Sequence, residues 1–229
     1  MIAKAPAPGR SKTRLSPPCT PLQAAALAEA ALKDTLETVE HSSARRRVLA
    51  LDGEVGDLLE SLKGFEVIRQ RGVGLGERLA AAFEDTGEPA LLIGMDTPQM
   101  SPSLLDRALE LLSGTDAVLG DTIDGGYWAI GLKQPFTPAF TGVPMSAPFT
   151  ARAQRQRFAN WALLARACRF FETSIITMMR SPSPRRPQDR GSLDASRRCG
   201  PVWWSGPRDG SARGLGRNDR AARDDALVV

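Results

Sequence analysis

The spacing of apolar and polar residues along positions 20–132 predicts strands and helices in alternation. Residues 20–41 repeat alanine and leucine at helical intervals, and Thr20 with Gln23 forms a capping box at their start. Short apolar runs predict strands at 48–51, 65–68, 89–96, 116–120 and 126–132, and the segments 54–62, 74–83 and 101–112 predict helices. Because strands that alternate with helices form α/β proteins, we expect a mainly parallel sheet flanked by helices.

The run PALLIGMD at 89–96 predicts a strand buried on both faces, because it is almost entirely apolar. It ends in a carboxylate, Asp96. In open α/β sheets the ligand lies beyond the carboxyl ends of the strands, so Asp96 is expected on the ligand side. A charge at the end of a buried strand is costly unless it binds something, and we predict a ligand role. The alternative is a turn residue in front of Pro98.

The segment KAPAPGRSKTRL at 4–15 contains four cations, two prolines and one glycine, and no acidic residue precedes Glu29. The five prolines in the first 21 residues exclude an amphipathic targeting helix. A Walker loop is also excluded, because it requires a second glycine. Two interpretations remain, a stiff loop that holds phosphate groups and a basic loop in solvent.

Charge and composition exclude several classes of protein. The chain carries +4 at pH 7, yet residues 180–229 contain 11 Arg and 6 Asp, whereas residues 1–179 contain 19 basic and 20 acidic residues. A nearly neutral body gives no indication of a specific nucleic-acid site. The three cysteines form no C-x-x-C pair and no apolar run could span a bilayer, so we expect a cytoplasmic protein. The only histidine, His41, follows the first helix and is predicted to be structural.

The end of the chain differs in composition from the rest. Arg, Pro, Gly and Ser account for 28 of the residues 180–229, and large aliphatic residues are few. Such a segment buries too little apolar surface to offset chain entropy. We therefore predict a folded domain over 1–165 and a disordered, low-complexity tail over 166–229. The same bias without lysine is typical of a GC-rich gene translated out of frame, which is a further hypothesis for the tail.

Five segments occur in an order that is typical of one family. They are the loop at 4–15, QRGVGLGERLAAAF at 70–83, LIGMDTP at 92–98, DTIDGGYWAIGL at 121–132 and FTGVPMS at 140–146. Together they resemble the GT-A-like transferases described as glycosyltransferases or as radical-SAM/selenodomain-associated transferases. The phospholactate and molybdenum-cofactor guanylyltransferases are more distant relatives. The resemblance covers roughly residues 1–160 and implies a single nucleotide-diphospho-sugar transferase domain. Its first strand is expected to be short, because only Met1–Ala3 precede the first motif.

The resemblance also implies a set of site residues. The phosphate groups of a nucleotide are expected at Lys4, Gly9, Arg10, Lys12 and Arg14, with Lys12 also catalytic. The base or ribose is expected near Gln70, Gly74, Gly76 and Arg78. Asp96 and Asp124 are implied as catalytic residues and as ligands of Mg²⁺ or Mn²⁺, and the acceptor loop comprises Gly125, Gly126 and Ser146. By itself, Asp124 in front of two glycines also suits a plain turn residue.

Three functions fit these observations. The first is metal-dependent glycosyl transfer from a nucleotide sugar to a small-molecule acceptor, because a divalent cation neutralises the charge on a departing phosphate. The second is nucleotidyl transfer from an NTP to a phosphorylated acceptor. Gly94 favours it, because glycosyltransferases of this fold usually present D-x-D and here a glycine stands two positions before Asp96. The third is an inactive product of a damaged gene.

Overall fold

Eight strands and four helices follow one another in residues 1–95, 97–171 and 227–228, which this computed structural model describes. They are β1 (Ile2–Lys4), α1 (Pro21–Glu40), β2 (Val48–Asp52), β3 (Glu66–Arg69), α2 (Leu75–Thr86), β4 (Ala90–Ile93), α3 (Pro102–Ser113), β5 (Ala117–Thr122), β6 (Tyr127–Leu132), α4 (Thr150–Asn160), β7 (Ala165–Phe171) and β8 (Leu227–Val228). Short 3-10 helices cover Thr13–Leu15, Gly56–Leu62 and Thr137–Ala139. All described residues belong to one unit formed by Met1–Arg180 and Asp224–Val229. None of its described helices is long and apolar enough to cross a membrane.

The strands pair in two sets, in the orders β1-β2-β3 and β7-β5-β6-β4-β8. Among the described strands four of the six pairs are parallel, and only β6 runs antiparallel to its neighbours β4 and β5. The predicted α/β fold with a mainly parallel sheet is confirmed. Because β6 is reversed, its first residue, Tyr127, lies at the edge where β4 and β5 end. The backbone N–H of Lys4 donates to Sδ of Met95 over 3.3 Å, which brings the end of β1 beside the end of β4. We call this common side the carboxyl edge.

The core lies on both faces of β4, whose four residues are 0–3% exposed. Leu36 of α1 and Leu105 of α3 share one apolar cluster with Leu91. Phe83 of α2 and Phe158 of α4 share the other cluster with Ala90 and Leu92 of the same strand. The predicted burial of β4 on both faces is therefore confirmed.

The helix ends follow the predicted local signals. The Thr20 hydroxyl accepts the N–H of Gln23 over 3.2 Å, and the Gln23 side-chain oxygen accepts the N–H of Thr20 over 2.9 Å. This capping box satisfies two donors at the start of α1. His41 is the last capping residue of α1, with Nδ1 2.7 Å from the carbonyl oxygen of Glu37, in agreement with a structural role.

The structure differs from the prediction after β6. The sequence pattern predicted neither α4 nor β7, because α4 is largely polar and β7 contains no continuous aliphatic run. Strand β7 pairs in parallel with β5 and continues past the predicted domain end at 165 as far as Phe171. The predicted helix at 54–62 is a 3-10 helix over Gly56–Leu62.

Met1 is hydrogen-bonded to β2, and the last described residues of the chain pair with β4. The amino group of Met1 is buried and donates to the carbonyl of Val48 over 2.6 Å, and this burial lowers its pKa well below the usual value. Strand β8 runs parallel to β4, with Leu227 beside Ala90. Residues 227–228 of the predicted tail thus pair as a strand, which the sequence analysis did not predict because two residues have no local pattern of their own. The rest of the predicted tail beyond residue 171 lies outside the described residues.

Removing Asp224–Val229 should lower the melting temperature, because it removes the strand that pairs with β4 at Ala90 and Leu91 on the side away from β6. The loss of one or two backbone hydrogen bonds is worth about 1–2 kcal/mol, or a few degrees for a domain of this size. Removing Val229 alone, which lies outside β8, is the matched control. An unchanged melting temperature for the longer deletion in a calorimetric scan would contradict the role of β8.

Candidate functional site

The loop after β1 is folded by its own hydrogen bonds. The buried hydroxyl of Ser11 accepts the N–H of Ala7 over 3.0 Å, and the carbonyl of Ala7 accepts the N–H of Arg10 over 3.1 Å. Gly9 has φ +72° and Lys12 has φ 50°, so the chain reverses twice through left-handed conformations. The side chains of three of its cations, Lys4, Arg10 and Arg14, remain exposed. The loop therefore presents its charge to solvent from a defined backbone.

A carboxylate that the sequence analysis missed lies among these cations. Asp52, the last residue of β2, accepts a hydrogen bond from Nη1 of Arg78 over 2.9 Å. This bond lowers the pKa of Asp52, and the charges of Lys4 and Arg10 lower it further. One acidic group thus has three cations around it at the carboxyl edge. The signal was present in the sequence, because VLALD ends in a carboxylate as PALLIGMD does.

Gln70 connects the strands that carry this charge cluster. Its Nε2 donates to the carbonyl of Ala3 over 2.6 Å and to that of Ala50 over 2.9 Å, which joins β1 to β2. Its Oε1 accepts a hydrogen bond from Arg78 over 3.3 Å. The amide of Gln70 therefore holds Arg78 in place, and its predicted proximity to the base or ribose of a nucleotide stays a prediction.

The start of α2 contacts the segment that precedes Ser146. Gly74 is the residue before the helix and has no side chain to cap it. A Cβ on Gly76 would lie 3.4 Å from Cε of Met145 and 3.4 Å from the carbonyl oxygen of Phe140, which places this turn next to Met145. Sδ of Met145 in turn accepts a hydrogen bond from the Tyr127 hydroxyl over 3.6 Å. These contacts bring two predicted regions, the glycine turn and the acceptor loop, together.

The turn between β5 and β6 packs against the same segment. Oδ1 of Asp124 accepts hydrogen bonds from the Thr122 hydroxyl and, over 3.2 Å, from the N–H of Gly126. Asp124 thus forms the turn, as the plainer alternative predicted. Gly125 has φ +84°, and its carbonyl accepts the N–H of Ala151 over 2.9 Å. The turn is therefore fixed against the residues that follow Ser146.

Asp96, the predicted metal ligand, lies outside the described residues. The next residue, Thr97, is buried, and its hydroxyl has no hydrogen-bond partner within the part of the chain that the structure describes. In the same part, no three His, Cys, Asp or Glu side chains lie close enough to hold an ion. Mg²⁺ often takes only one or two protein carboxylates and completes its coordination with water and substrate phosphates. The predicted metal-binding role of Asp96 and Asp124 therefore stays a prediction.

The structure thus brings the predicted residues into two groups. Lys4, Arg10, Gln70 and Arg78 lie around Asp52, and the turn of Asp124, Gly125 and Gly126 lies against the segment that contains Ser146. Gly76 joins the second group through Met145. Among the described residues, the hydrogen bonds of Asp124 stay within its own turn and do not reach the group around Asp52.

Replacing Gly125 by alanine should destabilise the protein strongly, because the new Cβ would lie 1.7 Å from the carbonyl oxygen of Pro148. Gly142→Ala is the matched control, since Gly142 also has a positive φ (+73°) and no atom within 4 Å of a Cβ. We expect the control to lose about 1–2 kcal/mol and Gly125→Ala to lose at least 1 kcal/mol more by denaturant titration. Equal losses would show that the turn does not depend on this contact.

Comparisons with known proteins agree with this architecture. Residues 35–147 match the family model DUF2064, whose description is an uncharacterized protein conserved in bacteria. No curated protein matches the sequence. A protein from Desulfovibrio desulfuricans G20, assigned provisionally as a nucleotide-diphospho-sugar transferase, is 26% identical, with 75% of this chain and 80% of that chain covered and a TM-score of 0.65.

More remote structures also match. The 4-diphosphocytidyl-2C-methyl-D-erythritol synthase from Anaerococcus prevotii is 12% identical, with 76% of this chain and 86% of that chain covered and a TM-score of 0.48. The complex of Rv0371c with manganese, from Mycobacterium tuberculosis H37Rv, is 17% identical, with coverage of 73% and 85% and a TM-score of 0.47. The resemblance predicted from the sequence is confirmed: the chain matches the DUF2064 model over residues 35–147 and has the GT-A-like fold of the nucleotide-diphospho-sugar transferases.

Proposed function

We propose that the protein is a metal-dependent transferase that moves a glycosyl group from a nucleotide sugar to a small-molecule acceptor. The observation that carries the proposal is the group of cations Lys4, Arg10 and Arg78 around Asp52 at the carboxyl edge. Ligands of open α/β sheets bind at that edge. The likeness to the Desulfovibrio protein supports a nucleotide-diphospho-sugar donor.

The exposed loop after β1 is suited to a diphosphate. Glycosyl transfer breaks the bond between the anomeric carbon and a phosphate oxygen, so negative charge grows on the departing nucleotide. Lys12 and Arg14, with the cations around Asp52, would neutralise that charge from a backbone that is already folded, which requires little rearrangement during the reaction. In this assignment Lys12 keeps its predicted catalytic role.

Asp96 and Asp124 would hold the divalent cation together with the phosphates of the donor. When bound, Mg²⁺ or Mn²⁺ supplies a positive charge at the departing phosphate. The buried Thr97 hydroxyl beside Asp96 supports a ligand at this point, because an unsatisfied buried hydroxyl costs free energy. The acceptor would lie against the turn of Gly125 and Gly126 and the segment of Ser146.

Nucleotidyl transfer is the second candidate, and the absence of a D-x-D sequence at Gly94–Asp96 favours it. The two reactions release different products. Nucleotidyl transfer releases pyrophosphate from an NTP, whereas glycosyl transfer releases a nucleoside diphosphate from a nucleotide sugar. A panel of NTPs and nucleotide sugars with Mn²⁺, assayed for both products, decides between them. Release of neither product, with no binding of any nucleotide, would contradict both proposals and favour an inactive chain.

Lys12→Ala and Arg14→Ala should each weaken binding of a nucleoside diphosphate about tenfold or more, because a charge-assisted hydrogen bond to phosphate is worth roughly 1.5–3 kcal/mol. Affinity for the nucleoside without phosphates should change little. Lys63→Ala is the control, since Lys63 is an exposed cation at the end of the 3-10 helix Gly56–Leu62. Calorimetric titration measures all three variants, and an equal loss of nucleoside affinity would mean that the loop serves folding rather than phosphate binding.

Asp96→Asn should remove the part of nucleotide affinity that depends on Mn²⁺ while the melting temperature without ligand stays close to that of the native protein. The substitution removes an anionic ligand and leaves the size of the side chain unchanged. Asp116→Asn is the control, because Asp116 precedes β5 at the opposite edge and accepts the N–H of Leu164. If the Mn²⁺ effect on binding persists in Asp96→Asn, Asp96 is a turn residue.

A further inference from the structure

Two large apolar side chains are exposed on the acceptor side of the carboxyl edge. Ile123, in the turn between β5 and β6, is 58% exposed, and Phe149, just before α4, is 51% exposed. Their chain segments touch, because a Cβ on Gly125 would overlap the carbonyl of Pro148 and because Ala151 donates to the carbonyl of Gly125. Exposed apolar residues that cluster on functional loops often mark a binding surface.

The charges of these loops differ from those of the loop after β1. Residues 122–126 and 144–149 contain no Lys or Arg, whereas residues 4–14 contain four. Arg155 of α4 is compensated, since it pairs with Asp121 at the end of β5. Arg152 in the first turn of α4 is the next cation along the chain and is exposed. A phosphate group on the acceptor would therefore lie near Asp124 and apolar groups, with no cation in these loops to bind it. The next cation along the chain after these loops is Arg152.

Apolar side chains also occur at the start of α2 and in the segment before Ser146. Met145 contacts both the Gly76 position at the start of α2 and the Tyr127 hydroxyl at the start of β6. Val73 and Leu75, which precede Gly76, are exposed large apolar residues as well. The glycine turn and the segment of Met145 thus carry apolar side chains of their own, in addition to Ile123 and Phe149.

We infer that the acceptor is an uncharged molecule with a hydroxyl group and an apolar portion, and that Ile123 and Phe149 contact the apolar portion. This inference rests on the proposed glycosyl transfer. The acceptor oxygen would form a bond to the anomeric carbon while the bond from that carbon to the diphosphate breaks. The nucleoside diphosphate would leave with the bonding electrons, and the hydroxyl proton would be released.

Primary alcohols from ethanol to octanol test the inference by calorimetric titration of the full chain saturated with a nucleoside diphosphate and Mn²⁺. Affinity should rise severalfold with each added methylene group, because each one buries apolar surface. Octanol should bind more tightly than octyl phosphate. Ile123→Ser and Phe149→Ser should each weaken octanol binding about tenfold and leave nucleotide affinity unchanged. Leu22→Ser is the matched control, since Leu22 is 70% exposed at the start of α1, and its octanol affinity should equal that of the native protein.

Two results would overturn the inference. One is octanol affinity that is undetectable, or that is the same in Ile123→Ser, Phe149→Ser and the native protein. The other is tighter binding of octyl phosphate than of octanol, lost in Arg152→Gln, which would assign a phosphorylated acceptor. Nucleotide binding is measured before any alcohol is added. Failure of the proposed function therefore shows as absent nucleotide binding or as no release of a nucleoside diphosphate from any nucleotide sugar. Failure of this inference alone shows as normal nucleotide binding and release, with no preference for the apolar alcohol.

Discussion

The burial of β4 is the constraint on which the site depends. A strand with both faces and all four residues in the core needs hydrogen-bonded neighbours on both sides, since no water reaches its backbone. β6 fills one side and β8 fills part of the other. Because β6 is antiparallel, the turn with Asp124 lies at the end of β4 that leads to Asp96. The packing of the core therefore decides which loops face one another.

At that edge the charge is divided between two sides. The first side carries the cations, and Asp52 with Gln70 holds Arg78 from two directions. The carbonyl of Gly72 is a third acceptor for Arg78. An arginine held in this way loses little conformational freedom when a phosphate binds, which favours affinity. The second side carries Asp124 and exposed apolar groups. The diphosphate of a donor would lie against the cations of the first side, and an acceptor without phosphate would lie against the apolar groups of the second side. If the two molecules exchanged places, the diphosphate would lie near Asp124 and the cations would have no anionic partner on the ligand.

The sequence predicted those features whose stabilising contacts are local. The capping box of Thr20 and Gln23 was predicted because both of its hydrogen bonds span three residues. Asp52 was missed although it ends an apolar run. Its place in the charge cluster depends on the hydrogen bond from Arg78, which is 26 residues away on another element. The contact of Gly125 with Pro148 depends in the same way on distant parts of the chain. β8 has no local pattern at all and exists only through its pairing with β4.

The two sides of the site are also joined mechanically. Gly76 and Arg78 lie in the first turn of α2, one against Met145 and the other bound to Asp52. A helical turn moves as a unit, because its backbone hydrogen bonds fix the relative positions of its residues. If a bound phosphate drew Arg78 toward it, Gly76 would move with the same turn, next to Met145, which accepts a hydrogen bond from Tyr127 at the start of β6. In the proposed function, nucleotide binding would therefore affect the shape of the surface at Met145, where the acceptor would lie.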